Sequence, residues 1–268
     1  MGLKKTNLDS LDFSKLYKKQ IKKSTFKSKN SDDWDKKANS MNISVKNSSY
    51  TKEFISKIDI KDCDSLLDIG CGPGTIALEM ASKLQKIYAL DYSQGMLDCV
   101  KDNCKEKNIL NLETIHKSWY DSWEDIPSAD IVTASRSMEV KDIKDAIIKL
   151  NSKANKRVYL STKVGGSFVD VNILNQLERK IIPRPDYIYI LNVLHSMGIY
   201  AKVDFIKNKS HKLDASSAKE FVKKISWSLG ELSNKEKKVL KKYFKTTYKN
   251  KKQEDYITWA FISWEVNK

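Results

Sequence analysis

The chain has 268 residues, of which 40% are hydrophobic and 10% aromatic, so it is long and apolar enough to bury a sizeable core and is no disordered segment. No run approaches the roughly 18 to 20 apolar residues of a membrane span, and the basic start MGLKKTNLDSLDFSKLYKKQIKK lacks the apolar stretch of a secretion signal. The cytoplasm is therefore expected, with no membrane partner. The formal net charge of +15 invites a nucleic-acid reading, yet only four of the 49 basic residues are Arg (Arg136, Arg157, Arg179, Arg184), and phosphate sites favour the Arg fork. A solvated Lys surface is the preferred reading over a functional basic face.

In chain order, residues 1–30 carry apolar positions at Leu8, Leu11, Phe13, Leu16, Tyr17 and Ile21, the spacing of one amphipathic helix, followed by a loose KSKNSDD stretch. SDDWDKKANSMN at 31–42 opens on Ser/Asp cap candidates and predicts a second short helix. Tyr50–Ile58 predicts a third. From about 65 to 164 the pattern alternates. SLLDIG, KIYALD, NLETIH, ADIVTAS and RVYLST read as strands, whereas GTIALEMASKL, SQGMLDCVKDNCKEK and IKDAIIKLNSKA read as helices. Short apolar strands separated by helices are the pattern of a parallel sheet with right-handed crossovers. After 165 come a Gly-Gly turn, a helix, the Pro183-Arg184-Pro185 break, a helix ending at Gly198, the strand IYAKVDFIK, helices at 215–230 and 233–248 joined at Gly230, and the strand ITWAFISWEV.

Cys63, Cys71, Cys99 and Cys104 form no C-x-x-C pair and the three histidines are widely spaced, so no metal site is expected and the thiols read as reduced. The glycine cluster is more informative. Gly70, Gly72 and Gly74 stand between a predicted strand and a predicted helix, where the missing Cβ lets the backbone turn sharply and approach a ligand. The spacing is G-x-G-x-G, and Thr75 stands where a dinucleotide fingerprint would carry its third Gly or Ala. Asp68, just before the loop, would repel a pyrophosphate and attract an ammonium or sulfonium. Asp91 ends the second strand, 17 residues after Gly74, placed to accept hydrogen bonds from ribose hydroxyls. Together these suit a cationic nucleoside without phosphate.

At LLDIGCGPG (66–74) and ALDYSQGML (89–97) the sequence resembles the class I S-adenosylmethionine-dependent methyltransferases. DDWDKKANSMN, SRSM, RVYLSTKVGGSF, PDYIYILNVLHSMGI and WAFISW look like an uncharacterised bacterial and archaeal branch of them. The resemblance implies an α/β fold: a Rossmann-like, doubly wound, seven-stranded sheet, mostly parallel with an antiparallel last strand. It also implies an N-terminal helical cap over 1–60, a methyltransferase domain over 61–268, and a helical insert at about 210–252. The cofactor would be S-adenosylmethionine, released as S-adenosylhomocysteine. Asp68, Gly70, Cys71, Gly72 and Gly74 would hold the methionine part, Asp91 the ribose, and Tyr92 and Met96 would flank the adenine. Ser118 and Trp119 stand where many members place an acidic residue toward the adenine amine. Backbone groups, Trp119 or Asp121 are the alternatives there.

Methyl transfer from a sulfonium expels a neutral leaving group, so alignment and water exclusion do most of the work and a base is needed only for a protonated acceptor. Ser135 and Arg136, after the fourth strand, are the substrate-side candidates, with Ser135 also within reach of the cofactor. Arg136 is either an anion hook or a structural partner of Glu139 or Asp142. His116 is a possible base, His195 reads as packing, and His211 as solvated. Trp34, Trp119, Trp123 and Tyr50 are expected to build an aromatic wall, Trp227, Trp259 and Trp264 to join the core, and Arg184 to offer a second anion hook. The expected activity is methylation of a small molecule. Alternatives are an RNA or protein methyltransferase docking through Lys-rich helices, a non-catalytic cofactor-binding protein, and a dehydrogenase, against which Thr75 and Asp68 argue. No N-P-P-[YF] motif or appended RNA-binding domain favours RNA.

Overall fold

A computed structural model describes residues 10–45, 48–209, 215–249 and 256–266. Leu8, His211 and the two ends of the expected 210–252 insert lie outside them. Four helices come first: α1 (Phe13–Lys23), α2 (Ser31–Asp35), α3 (Ala38–Val45) and α4 (Ser49–Ser56). Side chains of Asp12, Asn30 and Ser48 cap α1, α2 and α4, and a capping box between Asn30 and Asp33 fixes the start of α2.

Seven strands follow: β1 (Ser65–Ile69), β2 (Lys86–Asp91), β3 (Leu112–His116), β4 (Ala129–Ser135), β5 (Ala154–Lys163), β6 (Lys202–Lys209) and β7 (Tyr256–Glu265). They form one sheet in the order β3-β2-β1-β4-β5-β7-β6. The pairs among β1–β5 are parallel, and β7 runs antiparallel between β5 and β6. The fold class is thus the one expected. Strand order reverses between β1 and β4, which opens a crevice at the carboxyl end of β1, directly at the glycine loop.

Period-two alternation sends the strand side chains to two cores. Leu67, Ile69, Val132, Ala134, Val158 and Leu160 face α7 (Ile143–Lys153), α9 (Tyr187–Ser196) and α1. Leu66, Ile87, Ala89, Ile131 and Tyr159 face α4, α5 (Ala77–Met80) and α6 (Gln94–Glu106). A third cluster joins Phe26, Val169 and Ile173 to α10 (Ala218–Leu229), α11 (Asn234–Tyr243) and the π-helical turn Phe244–Tyr248. Ile173 lies in the short helix α8 (Val171–Leu174).

Several local readings need correction: SDDWDKKANSMN forms two helices, α2 and α3, instead of one, the helix after the Gly-Gly turn is only the four-residue Val171–Leu174, and the 233–248 helix passes into a π-helical turn at Phe244. GTIALEMASKL gives only the four-residue α5, because Ile76 supplies no side-chain cap and the flanking residues stay in turns. Trp227 is not core: it is half-buried on α10, edge-on to Trp34 at 5.7 Å, with the ammonium groups of Lys29 and Lys37 over its ring. Trp259 and Trp264 are buried, as expected.

Candidate functional site

The glycine loop turns on three left-handed residues: Gly70 at φ +66°, Gly72 at +56° and Gly74 at +83°. Two of them are also sterically fixed. A Cβ on Gly70 would lie 2.5 Å from Ser137 Cβ, and one on Gly74 would press Leu78 and Val100 at 3.1–3.2 Å. A Cβ on Gly72 would meet no heavy atom within 4 Å, so this is where the loop leaves room for a ligand. The preceding turn is held by Ser137, whose Oγ donates to Ile69 O at 2.7 Å, and by the N–H groups of Gly70 and Cys71, which donate to Leu90 O. The Cys71 thiol is buried and donates to Gly72 O; desolvation raises its pKa well above the usual thiol range, so it packs rather than reacts.

Two buried carboxylates flank the loop. Asp91 accepts from Gly72 N–H through one oxygen and from Ser93 N–H through the other, each at 2.9 Å. Asp68 accepts from Thr133 Oγ at 2.7 Å. Neither carboxylate has an ion-pair partner among the described residues. Burial, offset in part by these hydrogen bonds, pushes the pKa of Asp91 up and that of Asp68 to about 7, and the charge of Asp91 adds to the Asp68 shift. Two desolvated acids without a direct ion pair beside an open glycine, with only the charge of Arg136 acting on Asp68 from beyond contact, fit a positively charged ligand with hydroxyl donors, and so fit the implied cofactor on chemistry visible in the fold.

The other cofactor candidates spread along the carboxyl edge. Tyr92 is half-buried, and its hydroxyl donates to Lys29 O at 3.3 Å, beneath the N-terminal segment. Met96 is buried with Ala38 and Cys99, and the partly buried Trp34 and Met41 pack against them. Ser118 N–H donates to the Asp121 carboxylate at 2.7 Å, so Asp121 closes the turn after β3. The Trp119 indole donates to Ser137 O at 3.2 Å and stacks on Trp123, whose own indole donates to Ser118 O.

The expected aromatic wall is not one wall. Trp34 pairs with Trp227, Trp119 pairs with Trp123, and Tyr50 is buried against Phe54 and Trp259. Sequence periodicity gives no signal for which helices these rings approach across the sheet.

At the end of β4 the Tyr50 hydroxyl lies 2.7 Å from Ser135 Oγ and 2.5 Å from Ser161 Oγ, a three-hydroxyl cluster in which Ser161 and the phenol were invisible to motif reading. Arg136 adopts a left-handed φ of +58°, held by its N–H to the backbone oxygen and Oγ of Ser161. Its guanidinium sits 4.3 Å over the Tyr50 ring and 5.8 Å from that of Trp259. It pairs with neither expected carboxylate: Glu139 binds Arg184 at 3.3 Å and Asp142 binds Lys18 at 2.5 Å.

Arg184 is thereby corrected from an anion hook to a buried staple. It also donates to Phe26 O and Ser28 Oγ, fastening the N-terminal segment to the β4 loop. His116 is exposed and its Nε2 lies 3.1 Å from Tyr92 O. Because β2 and β1 stand between β3 and β4, strand spacing puts His116 roughly 14 Å from Ser135, and the two are not brought together. His195 is exposed, edge-on to Tyr200, rather than packed in the core. Among the described residues no cluster of His, Cys, Asp and Glu could hold a metal, and no helix is long and apolar enough to cross a membrane.

A family model described as "Methyltransferase domain" matches residues 66–154. An uncharacterised protein of Haemophilus influenzae is 40% identical over 239 residues, covering 88% of this chain and 89% of its own length. A Methanococcus vannielii protein named "Probable cobalt-precorrin-6B C(15)-methyltransferase (decarboxylating)" is 28% identical over 145 residues, 54% of this chain and 74% of that one. Among solved structures, coclaurine N-methyltransferase bound to N-methylheliamine and SAH aligns at TM-score 0.52 and 13% identity, covering 95% of each chain. The YcgJ protein from Bacillus subtilis aligns at TM-score 0.55 and 13% identity, covering 82% of this chain and 98% of its own. At such identities these two share the fold.

Proposed function

This chain belongs to the class I S-adenosylmethionine-dependent methyltransferase superfamily, and from that premise we propose that it methylates a small molecule in a pocket capped by its N-terminal helices, by direct displacement at the sulfonium methyl. The observation that carries the cofactor reading is the pair of buried carboxylates without a direct ion pair, Asp68 and Asp91, beside the open Cβ direction of Gly72.

S-adenosylmethionine supplies an electrophilic methyl group on a sulfonium. Within this reading, Asp91 takes the ribose hydroxyls while its remaining lone pairs hold Gly72 N–H and Ser93 N–H. Asp68 sets a negative potential at the methionine end. Tyr92, Met96, Ser118 and Trp119 border the adenine, and Gly70, Cys71 and Gly74 shape the turn. Ser135 and Arg136 face the acceptor. The residues before β1 act as a cap: Asp35 of α2 accepts from Ser93 Oγ and Gly95 N–H at 2.5 and 2.9 Å, and Arg184 ties Phe26 and Ser28 down. Such closure excludes water and favours an acceptor small enough to enter. The Methanococcus relative, named for action on cobalt-precorrin-6B, is consistent with a small-molecule acceptor.

Incubation with methyl-labelled S-adenosylmethionine and cell extract split into small molecules, RNA and protein tests this reading. Label is expected in the small-molecule fraction, and label confined to RNA or protein overturns it.

A further inference from the structure

Beyond the three hydroxyls, two cavities share a wall. The first is small, about 30 Å³, and is lined by Arg136, Glu139, Ser161, Lys163, Phe168 and Arg184, among others. It has room for roughly two waters or one carboxylate group. The second is about 710 Å³, within the range of pockets for organic ligands, and its lining is mixed, with Phe26, Leu174 and Ile257 beside Ser167, Asp170 and Asn175. Lys163 and Phe168 line both.

The charges here are uneven. Arg179, on the large cavity, is neutralised by Glu236 at 2.6 Å, and the Asp170 carboxylate is engaged by Asn172 N–H at 2.7 Å. Lys163 has no ion pair among the described residues. Its Nζ donates to Val164 O at 3.0 Å and lies 5.7 Å from the Phe168 ring centre. Burial holds its pKa below the usual lysine range, with Asp186 acting weakly the other way. Arg136, also without an ion pair, stands across the small cavity, stacked on Tyr50. Glu139 and Arg184 also line the small cavity but neutralise each other at 3.3 Å, which leaves Arg136 and Lys163, neither in an ion pair among the described residues, facing one anion-sized space that adjoins a larger one of mixed polar and apolar lining.

We propose that the acceptor is an amphipathic organic carboxylate, its anionic group held between Arg136 and Lys163 and its apolar body lying along the Phe26, Phe168 and Leu174 side of the 710 Å³ cavity. This rests on the methyltransferase reading and names the substrate class for it. The carboxylate anchors the molecule at the end of β4, where Ser135 stands.

The test titrates the full-length protein with 2-naphthoate and, separately, its neutral match 2-naphthamide, with S-adenosylmethionine titrated into the same preparation as an independent measure of the cofactor reading. Naphthoate is expected to bind at least tenfold tighter than the amide. Lys163→Met should remove that preference and Lys163→Arg should keep it. Equal affinity for the two probes, or binding of neither, overturns the proposal, and because these are wild-type measurements they hold even if Lys163→Met does not fold. Failure of S-adenosylmethionine itself to bind would instead sink the cofactor reading.

Discussion

The chemistry of the candidate site is concentrated in two acids that the fold buries beside the glycine loop. Asp68 is 2% exposed and its pKa is raised from 3.8 to about 7. A raised carboxylate binds its proton better in the folded state than in the unfolded one. Its contribution to stability is therefore greatest at low pH, declines as pH rises from about 4 to 7, and is flat above. A cationic ligand favours the ionised form. S-adenosylmethionine affinity should thus rise with pH through 7 and weaken about tenfold per unit below it, as calorimetry at pH 6, 7 and 8 would read. A flat profile would mean that Asp68 does not sense the ligand's charge. Asp91→Ala should weaken the same binding at least tenfold, and an unchanged affinity would show that the ribose assignment is wrong. The variant also frees Gly72 N–H and Ser93 N–H, so Asp91→Asn, which retains one acceptor oxygen, is the milder control.

Among the elements, α2 has the clearest single attachment. Asp35 reaches the first turn of α6, where free N–H groups and the positive end of the helix dipole favour a carboxylate, and its pKa is lowered by the Ser93 and Gly95 hydrogen bonds. Gly95 permits the approach, since a Cβ there would lie 3.2 Å from Asp35 Cα. Asp35→Ala should speed hydrogen exchange of α2 and α3 while the amides of β1, β2 and β4 keep their protection. Unchanged exchange in α2 would place the attachment elsewhere, for instance in the Trp34–Trp227 contact.

For the whole molecule, the net charge of +15 says less than it first suggests. Three of the four Arg side chains are ion-paired within the described residues, Arg157 with Asp59, Arg179 with Glu236 and Arg184 with Glu139, while the exposed Arg136 is stacked on the Tyr50 ring at the candidate site without a carboxylate partner among them. What remains is a Lys surface. Transfer RNA is therefore expected to bind only weakly, with affinity collapsing by more than about 100-fold between 50 and 200 mM salt, as a filter-binding titration would show. Salt-resistant binding that S-adenosylmethionine strengthens would instead favour an RNA acceptor.

The sequence by itself determined the sheet class, the boundaries of β1–β4 and β7 to within a residue, the glycine turn and the two acids, because these are local: a strand ends where its apolar run ends, and a left-handed turn requires Gly at fixed spacing. By contrast, β5 and β6 start three residues away from RVYLST and IYAKVDFIK. Tertiary structure alone decided what meets across the sheet. It brought Tyr50 from a helix before β1 to Ser135 and Ser161, sent Arg136 to an aromatic face and not to Glu139, and buried Arg184 as a staple. It also separated His116 from the β4 end by two strands and divided the expected aromatic wall into three. Those outcomes depend on how helices of different origin pack over one sheet edge, and neither residue type nor spacing along the chain encodes that packing.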